Sequence, residues 1–190
     1  MLKHIIASRI TSFLEDTRAS ISLEAVLVFP VLVWAYVGSF VFFDAFRAQN
    51  TNMKAAYTVA DMLSRETDAI DMEYLDGLNR MYDFLVHTPR NPTWIRVTVV
   101  TWDADEDEYV VKWSHATKGH DTWTTATLTT ITDTIPMLSD GETGILVEAT
   151  TTYIPAFNVG FAEMDFKNVN FTSPRFAPQL CWEDSCSVGS

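Results

Sequence analysis

Between Ala25 and Phe43 the chain carries 19 consecutive residues without a charge, most of them Val, Leu, Phe, Trp or Ala. As a helix rising 1.5 Å per residue, the run is about 28 Å long, close to the roughly 30 Å hydrocarbon core of a bilayer. Nothing further along the 190 residues approaches that length of apolar sequence. The run predicts one transmembrane helix. A cleaved secretory signal has a shorter apolar core, about 7–15 residues, and ends in an A-x-A-like site. This chain has Asp44-Ala45-Phe46-Arg47 there instead. A core helix of a soluble protein keeps a polar face, and this run has none.

Two residues are out of place in a plain anchor. Glu24 stands at the entry to the run. A carboxylate is costly there unless it is held at the interface or has a specific partner. Pro30 removes a backbone donor within the first third of the span and is expected to kink or loosen it. The stretch Arg18-Ala19-Ser20-Ile21-Ser22-Leu23-Glu24, followed by the apolar run with Pro30, resembles the start of a TadE-like pseudopilin of the tight-adherence (Tad) pilus. In that family a short basic leader ends in a small residue, the fifth residue past the cut is Glu, and a Pro follows six residues later. The matching positions are Ala19, Glu24 and Pro30, with Ala19 standing where Gly is usual. The resemblance implies cleavage between Ala19 and Ser20 by a prepilin peptidase and an assembly role for Glu24 and Pro30. It also implies partners: other pilin or pseudopilin subunits, a membrane assembly platform and a secretion ATPase.

The length leaves room for one anchor and one domain of ordinary size. The net charge of −12 is unevenly spread: up to Ala19, Lys3, Arg9 and Arg18 stand against Glu15 and Asp16, a net of +1, so the remainder carries −13. An acidic bulk has no basic patch to meet phosphates, which argues against nucleic-acid binding. Lys3, Arg9 and Arg18 precede the span, while Arg47 and Lys54 follow it. That slight bias places the N-terminus in the cytoplasm and the bulk of the chain beyond the inner membrane, in the periplasm of a Gram-negative source. Cys181 and Cys186, the only two cysteines, lie in the sequence CWEDSC. Their spacing permits a small disulfide loop, which an oxidising compartment favours. Free thiols and a metal site are the alternatives, the latter without a nearby His to complete it.

Residues 1–19 read as a leader. Ile5, Ile6, Ile10, Phe13 and Leu14 have helix-like spacing, as in an amphipathic segment on the inner leaflet or a disposable piece. Residues 20–66 read as one long helix. No Pro or Gly interrupts Asp44 to Glu66, and Phe46, Met53, Ala56, Tyr57, Ala60 and Leu63 recur as a buried stripe. A break near Asp44 is the alternative. Residues 67–190 read as an exported domain. It begins with a second helix over Asp68–His87, capped by Asp71 and stopped by Thr88-Pro89-Arg90-Asn91-Pro92. Thr93–Thr101 and Tyr109–His115 alternate as a β-hairpin around the turn Asp103–Glu108. The Thr-rich run Thr117–Asp140 resists assignment, although Leu128, Ile131 and Ile135 can line a short helix before Pro136. Gly144–Ile154 and Phe166–Phe171 read as strands, followed by a Pro-containing tail. Helices followed by strands give an α+β class with an antiparallel sheet. With the long helix running on from the membrane, this is a pilin-like layout. GILVEATTTYIPAF is similar to a TadE-like strand motif, and Ser173-Pro174-Arg175 to the family's terminal Arg-Pro-Arg.

Other constellations carry less. Asp103, Asp105 and Asp107 alternate in a turn, as calcium ligands do, but lack the glycine and terminal Glu of an EF-hand loop. His115 and His120 flank Lys118-Gly119 without a complete ligand set. There is no G-x-S-x-G turn and no phosphate-binding glycine loop, so neither an enzyme nor a cofactor is expected. Trp94, Trp102, Trp113 and Trp123 read as packing residues, with a sugar-binding platform as the alternative. The sequence thus points to a non-enzymatic minor pilin or pseudopilin acting in pilus biogenesis and surface adhesion. The competing reading is a signal-anchored envelope protein whose exported domain binds a ligand.

Overall fold

The computed structural model describes residues 17–86, 92–157, 160, 162–183 and 186, with residues 17–20 by their backbone alone. Residues 1–16, read above as part of a leader, His87 and the expected helix stop at 88–91 lie outside these. The chain is a long N-terminal apolar helix followed by a small α+β domain with a four-stranded antiparallel sheet. It divides into two compact units. One comprises the helix through Asp44 with Ala156–Phe161; the other comprises Ala45–Pro155 with Ala162–Ser190.

The helix α1 runs over Thr17–Arg65 without a break at Asp44, and Pro30 lies inside it. Its stripe in the second unit differs from the expected one. Asn52, Ala55, Ala56, Val59, Ala60, Leu63 and Ser64 are buried, whereas Phe46, Met53 and Tyr57 are exposed. At 3.6 residues per turn, these three lie about a quarter-turn round from the buried line. The spacing of seven and four joined two neighbouring stripes into one.

Helix α2 covers Met72–Val86. Asp71 caps it, its Oδ1 accepting from the Tyr74 amide at 2.8 Å. Leu75, Leu78, Tyr82 and Val86 are buried, while Met72 in the first turn is exposed.

The strands are β1 (Thr93–Asp103), β2 (Glu108–Ala116), β3 (Thr143–Tyr153) and β4 (Met164–Thr172), in the order β2-β1-β3-β4. One face, built by Ile95, Val97, Val99, Ile145, Val147 and Ala149, packs in a single core with the buried residues of α1 and α2. The other face buries Val100 and Leu146 beneath Leu128, Ile135 and Leu138. The Thr-rich run is therefore a cover for the second face. It holds a short helix, α3 (Thr125–Leu128), that ends well before Pro136. Cover on both faces is why β1 loses its alternation and buries Val99, Val100 and Thr101 in succession. The cover also shields an edge of the sheet: the Val111 amide donates to Thr125 Oγ1 at 3.1 Å. Gly144 lets the Phe171 ring lie flat across β3, since a Cβ there would sit 1.9 Å from it.

The C-terminal segment, read from sequence as a tail, is part of the core. Leu180 and Trp182 are buried against it. Its backbone is tied at three points: the Arg175 amide to Ser64 O at 2.8 Å, the Ile70 amide to Cys181 O at 2.9 Å, and the Glu183 amide to Ile70 O at 2.9 Å. Trp113 Nε1 adds a bond to Leu180 O at 2.9 Å.

Candidate functional site

Residues Ile21 to Tyr36 of α1 are exposed on every side, Ile21 at 72% and Tyr36 at 77%. A helix that serves a soluble core buries one stripe, as α1 itself does after Asn52. Among the described residues before Asn52 only Val41 is buried, and the helix is long and apolar enough there to cross a bilayer. Glu24 stands exposed at its start, and among the described residues no cation pairs with it. Pro30 lies six residues on, inside the continuous helix, where it has no N–H to donate. The Ser39 hydroxyl bonds back to Ala35 O at 2.9 Å, so this polar group is satisfied within the helix. The backbone of Ala19 and Ser20 is already helical. An apolar cylinder bearing one unpaired carboxylate near its end can do two things: hold the chain in a membrane, and pair with a cation brought by another helix.

Cys181 and Cys186 form a disulfide, with their Cα atoms 5.5 Å apart. Cys181 lies in the docked C-terminal segment, where its carbonyl accepts from the Ile70 amide.

His115 and His120 do not converge. His115 stacks on Trp182 at 3.7 Å between ring centres, whereas His120 stacks on Trp94 at 4.3 Å. Burial lowers the His115 pKa, against the pull of the Glu183 carboxylate, which raises it. The hairpin carboxylates serve their own turn. Asp103 Oδ1 accepts from the Asp105 and Glu106 amides at 3.0 and 3.3 Å, and Asp140 accepts from the Ala104 amide at 3.3 Å. Among the described residues, no three His, Cys, Asp or Glu side chains are grouped to hold a metal.

A polar cluster that sequence reasoning missed lies on the second sheet face. Arg96 Nε and Nη2 donate to Glu148 at 2.5 and 2.7 Å, and Nη1 donates to Asp121 O at 2.8 Å. The guanidinium lies 4.4 Å from the Trp123 ring centre and 5.4 Å from that of Trp94. Trp123 Nε1 also donates to Glu148. Arg96 and Glu148 face each other across β1 and β3. Only the strand register reveals the pair, because the residues are far apart in the chain. Their hydrogen-bonding atoms are occupied by one another, so the cluster is a clamp that holds residues 121–123 to the sheet.

On the helix side, the Tyr82 hydroxyl is buried against Asn52 Oδ1, and burial pushes its pKa up. Tyr74 donates to Glu66 at 2.8 Å, and its pKa is raised to about 12, by burial first and then by that carboxylate.

No family model, no curated protein and no solved structure matches the chain.

Proposed function

We propose that this chain is a TadE-like pseudopilin or minor pilin with a pilin-like fold. It is anchored in the inner membrane by α1, with its N-terminus in the cytoplasm and its sheet domain exported. Its role is non-enzymatic: it assembles with other pilin-like subunits in pilus biogenesis and surface adhesion. The partners in that reading are a prepilin peptidase acting between Ala19 and Ser20, a membrane platform and a secretion ATPase. The observation that carries the reading is Glu24, an exposed carboxylate that interrupts the apolar stretch Ile21 to Tyr36, which is exposed on every side. A lone anchor gains nothing from such a group, since Leu inserts more readily. An assembling subunit gains a cation partner. Once Ser20 is the new N-terminus, its amine carries a positive charge, and a carboxylate on the neighbouring subunit pairs with it in low dielectric. Further support comes from beyond the span, where α1 keeps Phe46, Met53 and Tyr57 exposed and so offers apolar surface to a second helix.

The test is Glu24→Leu in the full chain. Membrane insertion, export and the disulfide should be unaffected, while co-purification with pilus components should be lost. Glu24→Asp, one methylene shorter, should retain part of it. Wild-type co-purification and surface attachment by Glu24→Leu would overturn the reading and favour a signal-anchored protein with a ligand-binding domain.

A further inference from the structure

We propose that the loop between β3 and β4 is a second membrane-contacting element, entering the outer border of the bilayer through Phe157. This rests on the reading that α1 crosses the membrane. Ala156 and Phe157 of this loop group with α1 up to Asp44 in one compact unit. The contact is specific: the Phe157 ring meets the Phe40 ring edge-on, with centres 6.3 Å apart.

The position of Phe40 sets the depth. It lies three residues inside Phe43, the last residue of the apolar run, or about 4.5 Å along the helix. The first charge, Asp44, comes only after Phe43. A ring packed beside Phe40 is therefore level with the end of the hydrocarbon, not with bulk water. The chemistry of the loop suits that level. From Ile154 to Ala162 the sequence holds no charged residue, and Glu163 is the first to follow. Phe157 remains 53% exposed despite its contact with Phe40. In water, an exposed Phe on an uncharged loop is an unrealised burial. Beside a membrane helix, the open side of the ring faces lipid, and aromatic or apolar side chains commonly seat in the headgroup–acyl boundary. The occupant of this apolar surface is thus the bilayer that α1 itself crosses.

The test uses the full-length protein in vesicles of phosphatidylethanolamine and phosphatidylglycerol. Single cysteines are labelled with the fluorophore NBD without reductant, so that the bonded Cys181 and Cys186 stay unreactive. Phe157→Cys reports the loop, Val33→Cys the middle of the span, and Met137→Cys, at a residue 94% exposed, the aqueous reference. Ala156→Cys replaces Phe157→Cys if that variant does not fold. Lipids carrying a nitroxide near the acyl carbonyl or near the chain end then quench by depth. The proposal expects the loop probe to lose more emission to the shallow nitroxide than to the deep one, the Val33 probe to show the reverse order, and the Met137 probe to lose little. If the loop probe behaves like Met137 while Val33 is quenched, the loop proposal is wrong and the span stands. If the Val33 probe is also silent, the span reading falls and the loop proposal with it. A loop probe that is blue-shifted yet unquenched by either lipid is buried in protein, for instance against a second copy, and this too overturns lipid contact.

Discussion

Arg96 shows how much a single side chain is asked to hold. The Arg96 and Glu148 side chains keep 11% and 13% of their exposure, so their charges are largely out of water. Arg96 satisfies both Glu148 oxygens, and Trp123 adds a third donor to that carboxylate. Removing the cation alone strands a buried anion. Arg96→Ala should therefore cost about 3–5 kcal/mol, the range for breaking such a pair from one side. The double change Arg96→Met with Glu148→Leu should recover most of that, because it removes both desolvated charges together. Thermal unfolding of the detergent-solubilised chain, followed by near-ultraviolet circular dichroism, measures both. A single variant as stable as the parent would show that the pair is solvated. Arg96→Lys should fall between the two, because an ammonium cannot make the two-pronged bond or stack on Trp123. Glu24 was legible in the sequence because a carboxylate stands out against nineteen uncharged neighbours. Arg96 and Glu148 were not, because each is an unremarkable member of its own strand.

At the scale of elements, local periodicity carried most of the reading. Helix α2 was legible from its one buried stripe, the strands from their β-branched and aromatic runs between turn signals, and Asp71 marked the start of α2 by its side-chain chemistry. The α1 stripe was misread because two neighbouring periods merged, and the C-terminal segment because packing between distant segments leaves no local period. Leu180 and Trp182 are two apolar residues in a short stretch, and the parallel bridge that docks them pairs Trp182 with Ile70 from the other end of the domain. That docked segment should respond to pH through His115, which faces the rings of Trp113 and Trp182 and the Glu183 carboxylate. Burial lowers its pKa below the ordinary 6.5. Below that value the unfolded chain takes up a proton that the folded chain resists, so the folded state loses stability as pH falls from about 7.5 toward the lower folded pKa. Above that window the imidazole is neutral in both states and contributes nothing. His115→Phe keeps a ring against Trp182 and removes the titration. Its melting temperature should fall less than that of the parent between pH 7.5 and 5.5; equal slopes would mean that His115 titrates as though in water.

For the molecule as a whole, the proposed anchor lets charge decide which side of the membrane carries the sheet. Orientation follows the Lys and Arg near a span, while Asp and Glu count for little. The −13 that follows Ala19 is therefore no guide, and the comparison is of Lys3, Arg9 and Arg18 before the helix with Arg47 and Lys54 after it. That margin is one residue, which makes the orientation testable by charge. Alkaline phosphatase fused after Ser190 should be active, and a reporter that works only in the cytoplasm should be silent there. Replacing Lys3, Arg9 and Arg18 with Gln should lower phosphatase activity, whereas replacing Arg47 and Lys54 should leave it unchanged or raise it. The disulfide supplies a second and independent readout, because Cys181–Cys186 persists where the compartment is oxidising. A membrane-impermeant thiol reagent applied to spheroplasts after reduction should label both cysteines if the domain is exported. An inactive phosphatase fusion beside a working cytoplasmic reporter, with thiols reached only after lysis, would reverse the topology and remove the sheet domain from any surface structure.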